Sequence, residues 1–362
     1  MAKSNGVWGA IGGGGKRKTV QSALIASYLS DIDEHRVENE PPYYSGGEPR
    51  LQTLFRNRCR QRGFSHRTVK TYWHWIRQYL KYFNFKHPRA LNERDVEAFL
   101  SHLAQHRQVS KATQNIAFNA LRFLYLEVLL LPFDNVQAIR VKREARVPEV
   151  FTHEEALRVI SHLVGPYQVM GQLMYGSGLR LSEVYRLRIK DVDIQAGQIV
   201  IRAGKGEVDR ITLLPQSVIP ALTEHLTKIQ ALHDSDVAQG FGKVSMPNAL
   251  ARKYPSEQKS LHWQFVFPAS RLAREPISGE WVRHHIHETS IQKSVRKAIR
   301  SARIGKRSSS HTFRHSFATR LIQRSVDITT VQKLLGHKDV RTTQIYLHTA
   351  GGITNIVKSP LD

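Results

Sequence analysis

The stretch from His311 to Tyr346, HTFRHSFATRLIQRSVDITTVQKLLGHKDVRTTQIY, gathers side chains able to move a phosphoryl group. His311 and Arg314 stand three apart, which on a helix places them on one face. A second apolar segment, Ile328, Val331, Leu334 and Leu335, ends at Gly336, a residue that stops a helix because it tolerates positive φ. His337 follows at once and Tyr346 closes the run. In phosphoryl transfer the transition state spreads charge over the non-bridging oxygens, so catalysis is mostly positioning and electrostatic stabilisation. Arg can meet two phosphate oxygens at once. His donates a hydrogen bond or passes a proton near neutral pH, and a deprotonated Tyr forms a covalent intermediate. Any one of these residues alone would read as a satisfied member of a helical core; together with what lies upstream they read as a site.

Upstream, GSGLRLSEVYRLRIKDVD runs from Gly176 to Asp193. Arg180 follows a Gly-Ser-Gly that permits a tight start, Glu183 comes three residues later, and Leu181, Val184 and Leu187 keep helical spacing. Ile199, Val200 and Ile201, the turn AGKGEVDR, and Ile211, Thr212 and Leu213 predict a β-hairpin with Lys205 at its glycine-flanked tip. These residues resemble the tyrosine recombinases, the phage-integrase-type site-specific DNA recombinases. That family's catalytic order of Arg, Lys, His-x-x-Arg, His or Trp, and Tyr is filled here by Arg180, Lys205, His311, Arg314, His337 and Tyr346. The match covers roughly residues 150 to 350.

The resemblance implies a mechanism. Arg180 and Arg314 hold the scissile phosphate, and Tyr346 attacks phosphorus to give a 3′-phosphotyrosyl link and a free 5′-hydroxyl. Lys205 protonates the leaving oxygen, His311 accepts a proton or a hydrogen bond, His337 supports the transition state, and Glu183 orients Arg180 or His311 from behind. The chemistry asks for no ATP or metal, and no cofactor is expected. The implied fold is mainly α with a small β-sheet, a helical core-binding domain joined to a catalytic domain. Recombination joins two DNA sites and so calls for a homotetramer, in which the family's C-terminal segment docks on a neighbour. Gly351 and Gly352 would be the hinge, and Ile353, Ile356, Val357 and Leu361 the apolar tail.

Composition points to the same partner. A length of 362 residues allows two domains plus tails. A formal charge of +24 predicts binding to a polyanion that weakens with salt. No apolar run approaches the length of a membrane span, no secretory segment is visible at the start, and Cys59 is the only cysteine. Disulfide frameworks within the chain and cysteine-based zinc sites are thereby excluded, and a cytoplasmic protein without a membrane partner is expected.

Residues 1–48 read as a flexible basic leader. Their glycines, Gly12 to Gly15, do not make a P-loop, since Ala10 stands where its first glycine belongs and Arg17 where its Ser or Thr would bind Mg²⁺. Residues 49–140 read as four helices. The first, with Leu51, Leu54 and Phe55, ends at Gly63; Ser65, Asn92 and Ser110 open the next three. Between Arg50 and Val150 nineteen Lys and Arg stand against seven Asp and Glu, which favours contact with a DNA backbone. Lys70, Thr71 and Lys111 are candidate phosphate contacts. Residues 141–149 read as the linker, and Thr152 with Glu155 as a capping box opening a catalytic domain over 150–350. Residues 351–362 form the tail.

Ser217 to Leu232 reads as an amphipathic helix, and about 233–263 as an insertion carrying a short helix in MPNALARKYP. That insertion, the Trp263-to-Pro268 segment read as a strand, and the His-rich run from Arg283 to Arg300 resemble integron integrases. Those enzymes recognise bases extruded from folded single strands, so the resemblance implies a hairpin attachment site beside a duplex one. Pro247, Tyr254, Trp263, His284 and His285 are the candidates for stacking and edge contacts; Ser245 stands where an aromatic stacker was expected. His284, His285, His287 and Glu288 lack a metal-ligand spacing, and no metal site is assigned. The alternatives are a recombinase of chromosome-dimer-resolving or phage type on duplex DNA, a DNA-binding protein without catalysis, and a type IB topoisomerase.

Overall fold

The computed structural model describes residues 51–134, 136–137, 139, 148–202, 209–246, 248–275 and 278–349, which fall into two compact units. Lys205, Pro247, the leader, most of the linker and the tail lie outside the described residues. The first unit holds α1 (Leu51–Gln61), α2 (His66–Tyr82), α3 (Glu93–Gln105) and α4 (Lys111–Phe123), which runs on as a π-turn over Leu124–Leu129. Its boundaries follow local chemistry. Gly63 takes a left-handed φ of 62° after α1. Ser65, Asn92 and Ser110 each cap a helix by accepting a backbone N–H, Asn92 within a capping box closed by Asp95.

The apolar stripes of these helices share one core containing Phe55, Ile76, Tyr79, Val96, Leu100 and Leu121. Two phenols sit inside it: Tyr79 donates to Tyr125, 2.8 Å away, and Tyr125 donates to the Pro88 carbonyl, so neither hydroxyl is buried unpaired. On α1, Arg58 and Arg62 converge on Glu127.

The second unit opens with α5 (His153–Ser161), whose Thr152–Glu155 capping box is formed in both directions. Then come α6 (Pro166–Gly176), α7 (Leu181–Arg186) and an antiparallel sheet of β1 (Val192–Asp193), β2 (Gln198–Ile201) and β3 (Arg210–Leu213), ordered β1-β2-β3. The hairpin register pairs Val200 with Ile211. Ile199 and Ile201 are buried in the unit's core with Leu173, Met174, Phe267 and Phe313.

The next part departs from the sequence reading. The helix expected over Ser217 to Leu232 is α8 (Ile219–Ala238), and it runs on with His233 and Asp236 buried. The Asp236 carboxylate takes both Nε and Nη2 of Arg283, at 2.5 and 2.6 Å. The short helix α9 (Asn248–Lys253) is present. Trp263 to Pro268 is not a strand. Leu261–Trp263 is a 3₁₀ turn, after which the backbone bonds first to one segment and then to another. Gln264 and Val266 bond to Ile189 and Leu187, and Phe267 and Ala269 to Ile286 and His284. With the partner changing between Val266 and Phe267, no continuous ladder forms and only isolated bridges remain. A second ribbon, β4 (Ala273–Arg274) with β5 (Trp281–Val282), was not foreseen.

Helices α10 (Glu288–Ser301), α11 (Ser310–Gln323), α12 (Ile328–Leu335) and α13 (Arg341–Thr349) complete the unit. Gly336 ends α12 with φ 64°, as its position predicted. The fold is mainly helical with small antiparallel sheets.

Candidate active site

The site is built on the first turns of α11. Ser309 caps the helix and exchanges a capping box with Thr312, fixing where the helix starts and which way His311, Arg314 and His315 face. Arg314 is 4% exposed, so its guanidinium needs partners. It donates Nη1 to the Gly178 carbonyl at 2.6 Å and Nη2 to the Leu335 carbonyl at 2.5 Å, with His337 Nε2 3.2 Å from Nη2. Gly178 has to be glycine, since its φ is +66° and a Cβ there would lie 2.4 Å from the Phe317 ring. Burial, then the charge of Arg180, lowers the Arg314 pKa to about 9, which leaves it a cation at neutral pH.

Glu183 is the hub beneath the cations. Its carboxylate accepts from the Arg180 backbone N–H at 2.7 Å and from Arg180 Nη1 at 2.8 Å. It also takes both terminal nitrogens of Arg210 at 2.9 and 2.7 Å, and Arg314 Nη1 lies 3.7 Å away. Burial works against its charge, but the Arg210 hydrogen bonds and charge, the Arg180 N–H and Arg314 win and hold its pKa at about 2. Arg210 is thereby shared between Glu183 and the Leu334 carbonyl.

His337 lies between Arg314 and Thr343. Arginine has no acceptor, so His337 Nε2 accepts from Arg314, and Nδ1 then carries the proton and donates to Thr343 Oγ1 at 2.9 Å. Burial, with Arg314, Arg180 and Arg210, lowers its pKa to about 4. Tyr346 is 3% exposed within an apolar cluster of Phe317, Ile322, Val331 and Leu335. Its hydroxyl is 2.9 Å from His315 Nδ1, and its ring lies 6.3 Å from that of His337. Burial raises the phenol pKa, and the two arginines Arg314 and Arg180 pull it back. His311 is exposed at the rim; packing of its ring, then Arg314 and Arg180, lowers its pKa.

Of the six residues singled out for catalysis, Arg180, His311, Arg314, His337 and Tyr346 meet here with Glu183 beneath them, and Lys205 lies outside the described residues. Two guanidiniums, imidazoles and a phenol around one point suit an anionic phosphodiester. Sequence reasoning passed over Arg210, Thr343 and His315. His315 carried a usable signal, standing four residues after His311 on the same helical face. Arg210 carried none, for its partners Glu183 and Leu334 lie elsewhere in the chain, and Thr343, six residues after His337, meets it only through the turn into α13.

The proposed DNA contacts are scattered by comparison. Lys70 and Lys111 are exposed and Thr71 is half-buried. Tyr254 is 43% exposed, with Lys253 Nζ 5.1 Å from its ring centre. Trp263 has Lys190 Nζ 3.2 Å from its ring centre. His285 packs between Tyr185 and Phe265 and bonds the Ile286 carbonyl, and His284 Nε2 is 3.5 Å from Ser245 Oγ. Among the described residues no group of three or more His, Cys, Asp or Glu could hold a metal ion.

Comparison with known proteins matches the phage integrase family over residues 149–351, and the N-terminal SAM-like domain of phage integrases over 51–134. An integrase/recombinase of Escherichia coli is 42% identical over 310 residues, covering 85% of this chain and 91% of that one. A tyrosine recombinase of Thermosipho africanus is 28% identical over 308 residues, covering 80% and 91%. The crystal structure of the XerH site-specific recombinase bound to palindromic difH superposes with a TM-score of 0.58 at 18% identity, covering 91% of this chain and 86% of that one.

Proposed function

The chain belongs to the phage integrase family of tyrosine recombinases, enzymes of site-specific DNA recombination, and we propose that its strand cleavage runs through the cluster around Arg314. In this reading Tyr346 attacks the scissile phosphorus and forms a 3′-phosphotyrosyl bond. Arg180 and Arg314 hold the non-bridging oxygens, His337 and His311 support the transition state, and Lys205 protonates the departing 5′ oxygen. Glu183, braced by Arg210, sets the guanidinium of Arg180. The observation that carries the reading is convergence. Arg314 Nη2 lies 3.2 Å from His337 Nε2, the His337 ring lies 6.3 Å from that of Tyr346, and the Tyr346 hydroxyl lies 2.9 Å from His315, so three separate segments meet around a buried cation. Resealing reverses the step with the 5′-hydroxyl of another DNA, so four protomers on two sites are proposed, joined through the tail.

The substrate proposed is an integron-type attachment site, including a folded single-stranded hairpin. In support, the insertion carries α9 beside an exposed Tyr254. A second reading, a Xer-type recombinase on duplex sites alone, is favoured by other details. Lys190 covers the Trp263 ring, and Tyr185 and Phe265 enclose that of His285, leaving less of both for an extruded base.

The test uses one attachment-site strand folded as a hairpin and the same sequence as full duplex, each labelled and run on denaturing gels with wild type and Tyr346→Phe. An adduct that disappears with Tyr346→Phe is expected, on the hairpin as well as the duplex. An adduct confined to duplex would sink the hairpin reading and keep the nucleophile.

A further inference from the structure

His315 Nδ1 stands 2.9 Å from Oη of Tyr346, with the two rings 5.6 Å apart. Among the described residues the imidazole of His311 makes no hydrogen bond to that phenol, although the family pattern points to His311 for proton work. A phenol is a stronger acid than a neutral imidazole N–H, so the phenol is the donor and Nδ1 the acceptor. We propose that His315 takes the proton of Tyr346 as its phenol oxygen attacks phosphorus. The inference rests on the reading of Tyr346 as nucleophile.

The step balances. The Oη–H bond breaks toward His315 Nδ1, the Oη–P bond forms and the P–O5′ bond breaks. O5′ leaves with a proton from the donor assigned to Lys205, so one proton enters the imidazole as one leaves the ammonium. The groups facing His315 are His311 and Arg314 from its own helix, His337 from the turn before α13, and Tyr346 from α13. Burial, then His311 and Arg314, keep the imidazole neutral and free to accept. Transfer occurs as Oη bonds to phosphorus, because a phenol loses its basicity only as that bond forms.

The experiment is single-turnover cleavage of a nicked duplex site by wild type, Tyr346→Phe, His315→Ala and His315→Asn. Asparagine sets its carbonyl oxygen close to where Nδ1 stands, so it keeps the phenol's acceptor and takes no proton. Wild type should form an adduct that Tyr346→Phe abolishes. Both His315 variants should slow cleavage by about 10²- to 10⁴-fold at pH 7. Their rates should climb toward pH 9, as hydroxide replaces the missing base, while wild type levels off. Circular dichroism and DNA binding of His315→Asn should match wild type, and this variant carries the test if His315→Ala does not fold. His315→Asn cleaving at the wild-type rate, or with the wild-type pH profile, would overturn the proton transfer and leave Tyr346 as nucleophile. An adduct that survives Tyr346→Phe, or no adduct with wild type, would overturn both.

Discussion

At the scale of single residues, the site is a bargain among charges that cannot reach water. Glu183 is 12% exposed at its side chain and faces three arginines, and its pKa of about 2 lies below the ordinary 4.5. Its stabilisation is therefore whole above about 4.5 and fades as pH falls toward about 2. Glu183→Gln leaves Arg210 buried without its counter-charge, which typically costs about 3–5 kcal/mol. Urea unfolding at pH 7 should show that loss, and the gap from wild type should narrow at pH 3; an unchanged midpoint would refute the hub. His337 acts in the same pH direction through the opposite charge. Its folded pKa of about 4 lies below the ordinary 6.5, so the unfolded chain takes up a proton that the native state refuses. Stability is full above 6.5 and declines as pH falls toward 4, by at most about 3 kcal/mol for this group. His337→Gln should flatten that decline in thermal melts between pH 7 and 4.5. Arg180, Arg314, His337 and Tyr346 were legible because their types and order sufficed. Arg210 was not, because its role depends on Glu183 on α7, twenty-seven residues earlier, and β3 alone shows only a basic strand residue.

The elements that present these residues were legible where their ends are set by local chemistry. Ser65, Asn92, Thr152 and Gly336 stop or start helices through bonds within a few residues, so the sequence carries them. Trp263 to Pro268 was misread as a strand because its pattern is apolar while its backbone passes from one distant partner segment to another after Val266. The extra turn and a half of α8 was missed because Asp236 is held by Arg283, forty-seven positions on. Gly336 joins the two kinds of control. Its φ of 64° is a local demand, and a Cβ there would also lie 2.7 Å from Arg210 Cδ, pushing that side chain off Glu183. Gly336→Ala should thus destabilise by roughly 1–3 kcal/mol from backbone strain. It should also slow adduct formation, and Ser309→Ala, which removes the cap of α11 and strains no backbone, should cost about 1 kcal/mol. If Gly336→Ala unfolds in urea no more easily than Ser309→Ala, the approach of Arg210 to that turn is not a constraint.

Over the whole molecule, charge decides how the enzyme meets DNA. The net +24 marks a polyanion partner from composition alone, but composition cannot say which cations are already spent inside the fold. Arg58 and Arg62 carry the same charge as Lys70 and Lys111, and the fold separates them. The two arginines are tied to Glu127, while the lysines are exposed at or near the starts of α4 and α2. Counterion release turns that difference into a measurement. Each phosphate contact adds roughly 0.9 to the slope of log affinity against log salt, so an enzyme making about 6–10 contacts loses about 10³–10⁵ in affinity between 50 and 200 mM. Lys70→Ala and Lys111→Ala should each lower the slope by about 1 and weaken binding alike on all sequences. Arg58→Ala should lower the slope by less than either lysine does, since its charge is partly offset by Glu127, which it shares with Arg62. Fluorescence anisotropy of a labelled duplex across a salt series reads all three. A slope indifferent to Lys70 and Lys111 would move the DNA-facing surface of the helical unit to other cations, and a slope that drops as far with Arg58→Ala as with the lysines would mean that Glu127 releases it when DNA binds.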